Sequence, residues 1–239
     1  MNNQPDWSAP AKPAELTYTR LIDAILDGSF PANSILPGER QLAEKLGVTR
    51  STLREALQRL AADGWVEIQH GKPTRVRDIW TEGTLNTLNA LVEHHAVMPD
   101  VFVTQLLEVR LALAPAYTRA AVEHNGEAVI DLLVDIQDDL PDTAGAFAEV
   151  DWQLHHRLTV LSTNPIYPLI LNGFREFYGR MARLYFADSS ARAESRAFYL
   201  RLQQACQQDE GDVVYQTVRA MMQRSITLWE QTVEGLDDD

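Results

Sequence analysis

Four basic side chains, Lys45, Arg50, Arg54 and Arg59, crowd residues 45–59 of a chain whose formal net charge is −13. Arginine offers a rigid fork of donors that fits a carboxylate, a phosphate or the O6/N7 edge of guanine. Arg50 and Arg54 are four residues apart, so on a helix they share one stripe. That stripe either faces a polyanion or forms a solvated face neutralised by Glu39, Glu44 and Glu55. Nucleophilic chemistry has little to work with. The single cysteine, Cys206, cannot form an intramolecular disulfide or a Cys-based zinc site, which fits a reducing compartment. It also follows every one of the six histidines. No enzymatic activity is expected.

The elements that must position these arginines can be read from spacing. In YTRLIDAILDGSF, Leu21, Ile22, Ile25 and Leu26 recur at helical intervals before a stop at Gly28. A short extended piece, SILP, follows. GERQLAEKLG makes a second short helix closed by Gly47, and Thr49 is suited to cap the next one through its hydroxyl. There Leu53, Ala56, Leu57 and Leu60 form the inward face, which leaves Arg50 and Arg54 on a neighbouring stripe, with Gln58 near it and Ser51 further round. Beyond Asp63-Gly64, WVEIQ and TRVRD are β-prone runs joined by HGKP, a hairpin turn. Helix, turn, helix and hairpin in that order predict a winged helix-turn-helix, and the Arg stripe then belongs on DNA.

Charge distribution agrees with this. Residues 1–80 hold ten Lys+Arg and ten Asp+Glu, whereas residues 81–239 hold eleven and twenty-four, so the entire deficit lies in the second part. Within residues 37–80 the balance is eight to six in favour of positive charge, so an acidic pI does not exclude DNA binding. No run approaches the roughly 18–20 apolar residues of a membrane span, and the start is polar and Pro-rich; a cytosolic protein is expected.

The stretch LPGERQLAEKLGVTRSTLREALQRLAADGW, followed by IQHGKPTRV, resembles the DNA-binding domain of the GntR family of bacterial regulators. AFAEVD, NPIYPLILNG and RLYFAD extend the likeness to the ligand domain of its fatty-acid-responsive members. The resemblance implies that Arg40, Arg50 and Arg54 contact bases in the major groove. Thr49, Ser51 and Thr52 match phosphate-contacting or helix-start positions. His70, with Gly71 and Lys72 beside it, matches a wing tip that enters the minor groove.

The second part reads as an antiparallel helical bundle. VTQLLEVRLALAPAYTRAAVEH, AVIDLLVDIQDDL and FAEVDWQLHHRLTVLS are helical patterns, and IYPLILNGFREFYGRMARLYF is expected as one long apolar helix. ESRAFYLRLQQACQQ and DVVYQTVRAMMQRSITLWEQTV complete the bundle. The expected division is a flexible stretch 1–13, a winged helix 14–80, a ligand-binding and dimerising bundle 81–233 and an acidic tail 234–239. From pattern alone the aromatic stripes are core, and the bundle could serve dimerisation alone.

The resemblance implies a homodimer on operator DNA that represses fatty acid degradation genes, activates some unsaturated fatty acid synthesis genes and is released by long-chain acyl-CoA. Arg110, Tyr185, Ser225 and Trp229 match positions lining or supporting the acyl-CoA site. Met221-Met222 replaces the Tyr-Gly of that group, which bears on the nucleotide subsite and on chain-length preference. Six arginines against three acids in residues 175–201 make a possible phosphate-facing patch. Other GntR regulators hold a divalent metal through an Asp, a His four residues on and two later histidines, and bind a small carboxylate. Asp151 and His155 have the first spacing, but no histidine follows His156, so no metal is expected. A further group carries a pyridoxal-phosphate aminotransferase fold, which needs a Schiff-base lysine, and none follows Lys72. No cofactor is expected.

Overall fold

The computed structural model describes residues 12–93, 102–208 and 210–237. Contacts divide the chain into two compact units, residues 1–98 and 99–239.

In the first unit, α1 (Pro13–Leu26) opens on Pro13, where proline's fixed φ and missing N–H cost a helix nothing. The expected flexible stretch 1–13 therefore gives way to helix at Pro13, and residues 1–11 lie outside the described residues. Tyr18, Leu21 and Ile22 are buried against α3 (Arg50–Ala62), whose Leu53, Ala56, Leu57 and Leu60 form the inward face predicted from spacing. Between them α2 (Glu39–Leu46) buries Leu42 and Ala43 and ends at Gly47 in the left-handed region at φ +69°. β1 (Val66–Glu67) and β2 (Arg75–Val76) pair antiparallel, Val66 opposite Val76, and Ile35 of the extended piece bridges to Arg75. The ladder is shorter than the β-prone runs, because only Val66 and Val76 are buried to anchor it. Trp65, fully buried, plugs the space beneath.

α4 (Ile79–Glu82) and α5 (Leu85–Glu93) also belong to this unit: Ala90 and Leu91 join its core, and Thr87 Oγ1 donates to the Asp63 carbonyl at 2.6 Å. The unit thus extends past residue 80, where the sequence reading begins the bundle. Pattern could not decide this, since an amphipathic helix does not say which core its apolar face joins.

The second unit is a bundle of α6 (Phe102–Asp135), α7 (Ala144–Leu161), α8 (Ile166–Asn172), α9 (Arg175–Tyr185), α10 (Ser189–Gln207) and α11 (Gly211–Asp237). α6 is two helices in one run, kinked at Asn125 (φ −145°, ψ 45°), whose amide bonds the Leu161 carbonyl at 2.7 Å. Thr143 caps α7 and Asp188 caps α10 by accepting backbone N–H bonds. Phe147, Leu154, Phe186, Phe198, Tyr199, Val214 and Val218 are among the fully or almost fully buried side chains of the core.

Two expectations change here. The long helix expected from residue 166 is broken into α8 and α9 at Gly173-Phe174, where N–H groups reach back three residues to Ile170 and Leu171. Glycine's low helix propensity lets the axis shift there. Residues 234–237 of the expected acidic tail continue α11, because extending an established helix costs little per residue; residues 238 and 239 lie outside the described residues.

Candidate nucleic-acid interface and ligand cavity

In the first unit, the N-terminus of α3 gathers three hydroxyls. Thr49 Oγ1 accepts the Thr52 amide at 3.2 Å and lies 2.9 Å from both Ser51 Oγ and Thr52 Oγ1. No acidic residue occupies the first turn, so the positive end of the helix dipole faces outward unopposed. Arg50 and Ser51 are exposed on this turn and Arg40 is exposed on α2. Arg54 is fixed through its Nε, which donates to Glu39 Oε2 at 2.7 Å, so its two terminal nitrogens keep their own donors.

The four basic side chains therefore divide. Arg59 lies 4.0 Å over the Tyr18 ring and 3.8 Å from Asp63, held against the body of the unit, whereas Arg50, Arg54 and Lys45 remain exposed. Of the three proposed carboxylate partners for this stripe, Glu39 is the one bound.

In the hairpin, His70, Gly71 and Lys72 are exposed at the tip, where Gly71 takes φ +72° and the Lys72 amide closes a turn onto the Gln69 carbonyl at 3.1 Å. Arg75 is committed to the base of the wing. It bonds Glu82 through both terminal nitrogens (3.0 and 2.8 Å), Glu67 through Nε (3.0 Å) and Asn33 (2.7 Å). This clamp holds the Glu82 carboxyl down at about 2.

In the second unit, helices α6, α7, α8, α9 and α11 enclose a largely apolar cavity with about 120 Å³ open to water-molecule centres. Its wall includes Leu106, Leu113, Ile170, Leu171, Phe174 and Met181. Arg110, Tyr185, Ser225 and Trp229, which sequence similarity singled out from three distant stretches, all line it. Met221 and Met222 are buried in the core and do not line it, so their bulk bears on packing; the Met221 carbonyl accepts from Ser225 Oγ at 3.0 Å.

A buried polar cluster stands at the wall. Arg110 Nη2 donates to Asp151 Oδ2 at 2.9 Å, Tyr178 donates to the same oxygen, and Tyr117 Oη and His155 Nδ1 lie 2.6 Å apart. Burial pushes the Asp151 carboxyl up, against the pull of Arg110. Burial, aided by the Arg110 charge, holds the His155 imidazole well below its ordinary 6.5. Burial likewise raises the Tyr185 phenol to about 12, with Ser225 opposing.

Asp151 and His155 do share one helix face, with Oδ1 and Nε2 3.7 Å apart, but Asp151 is bound by an arginine and a tyrosine. Among the described residues no group of three or more His, Cys, Asp and Glu could hold a metal. Burial raises the Cys206 thiol to about 11, the wrong direction for a nucleophile. Sequence reading missed Tyr117 and Tyr178 as partners of this cluster. The available signal was Arg110 itself, a positive charge amid Leu106, Leu107, Leu111 and Leu113, with Glu108 the one other charge in that span.

The possible phosphate patch of residues 175–201 is partly structural. Arg192 bonds Asp142 and the Phe186 and Ala187 carbonyls, Arg196 bonds the Leu140 carbonyl over the Phe147 ring, and Arg201 pairs with Glu194.

A winged helix whose helix α3 bears exposed arginines, followed in the chain by a helical bundle with an internal cavity, defines a DNA-binding regulator, and residues 13–76 match the family model of bacterial regulatory proteins, gntR family. Residues 77–239 match the FadR C-terminal domain. The chain is 48% identical to a fatty acid metabolism regulator protein of Shewanella denitrificans over 80% of each chain. It is 40% identical to one of Shewanella amazonensis over 95% of this chain and 94% of that protein. The chain belongs to the FadR fatty acid metabolism regulators of the GntR family, and is a transcription regulator rather than an enzyme. Among solved structures, Lar, which controls the expression of the Listeria monocytogenes agr system, shares the fold, with a TM-score of 0.60 at 16% identity over 94% of this chain and 99% of that one. No helix of the described residues is long and apolar enough to cross a membrane.

Proposed function

We propose that this regulator acts in the cytoplasm as a homodimer on a pseudo-palindromic operator, and that long-chain acyl-CoA releases it. Two-fold protein symmetry is matched by two half-sites. Arg40, Arg50 and Arg54 read guanines in the major groove, Thr49, Ser51 and Thr52 seat the α3 N-terminus on phosphates, and the His70–Lys72 tip enters the minor groove. The acyl chain occupies the bundle cavity, and Arg110, Tyr185, Ser225 and Trp229 contact or support it. No metal or cofactor is required. Acyl-CoA lowers operator affinity by favouring a DNA-incompetent state, and operator DNA must weaken acyl-CoA binding by the same factor. The regulator thereby represses fatty acid degradation genes and activates some unsaturated fatty acid synthesis genes.

The observation that carries this reading is the apolar cavity lined by all four of those residues. Fluorescence anisotropy of the protein on a FadR-type operator, titrated with oleoyl-CoA and separately with oleate and with CoA, tests it. Release by oleoyl-CoA alone is expected. Tight binding that ignores all three discards this effector in favour of a small carboxylate, to be sought with and without added divalent metal.

A further inference from the structure

The hairpin presents His70, Gly71 and Lys72 at its tip, yet its own ladder is too short to hold them there. Val66 pairs with Val76 and Glu67 with Arg75; past that pair, the stretch 68–73 carries one backbone bond among the described residues, from the Lys72 amide to the Gln69 carbonyl. A two-stranded ribbon of this size has little stability by itself. Side chains take over where the ladder stops. Glu67 accepts Arg75 Nε on one carboxylate oxygen at 3.0 Å and Gln69 Nε2 on the other at 2.6 Å, so a run of hydrogen bonds leads from Arg75 through Glu67 and Gln69 to the Lys72 amide. On its other side Arg75 grips Glu82 of α4 through both terminal nitrogens and reaches Asn33 of the extended piece. An arginine fork that meets a carboxylate with two parallel bonds fixes direction as well as distance. The extended piece, β1, β2 and α4 thus meet at one guanidinium. Its single charge is opposed by two carboxylates, so the cluster as a whole has no net attraction for phosphate.

We propose that Arg75 is the positioning residue of the wing, and that its bonds to Glu67 and Glu82 set the tip in the orientation in which it enters the minor groove. The assignment rests on the reading of the His70–Lys72 tip as a DNA contact and says how that contact is prepared. Positioning and plain electrostatics predict opposite signs at Glu82. Removing an acid from the DNA-facing unit strengthens operator binding through charge alone, whereas removing the anchor of Arg75 weakens it by loosening the tip.

Fluorescence anisotropy on a FadR-type operator from about 50 to 200 mM salt tests this with the full-length parent, Lys72→Ala, Glu82→Ala and the double variant. Glu82→Ala is expected to weaken binding about fivefold or more, despite the lost negative charge, and to lower the magnitude of the salt slope by about 1, the share of one phosphate contact. In the double variant it should add nearly nothing to the loss caused by Lys72→Ala, because both act through the same tip. Unchanged or tighter binding by Glu82→Ala overturns the proposal, and so does a loss that adds in full to that of Lys72→Ala; either leaves the tip as a DNA contact. A Lys72→Ala variant with the parent's affinity and slope removes the tip contact and the proposal together. Should Glu82→Ala fail to fold by circular dichroism, Arg75→Lys decides: it keeps the charge and loses the fork, so the same loss is expected, and full affinity overturns the assignment.

Discussion

Arg50 and Arg54 sit four residues apart on α3 and are held differently: Arg54 is tethered by Glu39, whereas Arg50 is exposed and makes no ion pair among the described residues. On the proposed DNA-reading role, Arg50→Ala removes a base contact and no packing. Operator affinity should fall by at least the ~1–3 kcal/mol of one bidentate base contact, with an unaltered melting curve. Anisotropy and circular dichroism check the two halves of that statement, and undiminished affinity would remove Arg50 from the reading set. In the other unit, His155 is neutral when folded and takes a proton when the chain unfolds. Its folded value lies below 6.5, so the unfolded state binds more protons in the interval beneath 6.5, and stability falls as pH drops from about 6.5 toward that lower value. The slope attributable to one such group is about 1.4 kcal/mol per pH unit. Urea unfolding at pH 7 and pH 5 should show a larger loss for the parent than for His155→Gln; equal losses would mean His155 accepts a proton while folded.

At the scale of elements, the recognition helix is fixed at both ends by short polar contacts. Thr49 caps its start, and at its end the Asp63 carbonyl accepts Thr87 of α5 while the Asp63 carboxylate accepts Tyr18 of α1 at 2.8 Å. Gly64 makes that close approach possible. It takes φ +87°, and a Cβ there would stand 2.7 Å from Thr87 Oγ1, itself held by the Asp63 carbonyl and the Thr84 amide. Gly64→Ala should destabilise the protein by more than the ~1–2 kcal/mol of the left-handed conformation alone, read from the urea midpoint. No loss would show that α5 yields easily. In the bundle, the α8–α9 break plays a comparable part: Tyr167, Ile170 and Leu171 of α8, with Phe174 at the break and Tyr178 of α9, all line the same cavity.

Over the whole molecule, net charge opposes DNA binding while its distribution permits it, since residues 37–80 carry a basic excess of eight to six whereas residues 81–239 hold eleven basic against twenty-four acidic side chains. Electrostatic contacts release counterions, so log affinity for the operator should fall linearly with log salt. Lys72→Ala at the exposed wing tip should reduce the magnitude of that slope by about 1 with little change in sequence preference. Anisotropy titrations on matched and scrambled operators from 50 to 200 mM salt measure both; an unchanged slope would mean the tip does not reach phosphate.

Local chemistry alone made much of this legible. Helical spacing and caps gave α1 to α3, because burial of one face leaves a periodic signature that needs no partner to be read, and the exposed arginine stripe followed from it. Arg110, Tyr185, Ser225 and Trp229 were named through family likeness, not through any spacing between them. Their convergence on one cavity, the clamp of Glu67 and Glu82 on Arg75, the diversion of Arg59 to Tyr18 and the docking of α5 on the first unit were decided only by tertiary structure. Each depends on side chains that no helical or strand interval pairs meeting through the fold, the cavity residues in a low-dielectric interior and the Arg75 and Arg59 contacts nearer the surface, so that an acceptor, a charge or a ring becomes a partner by position and not by sequence interval.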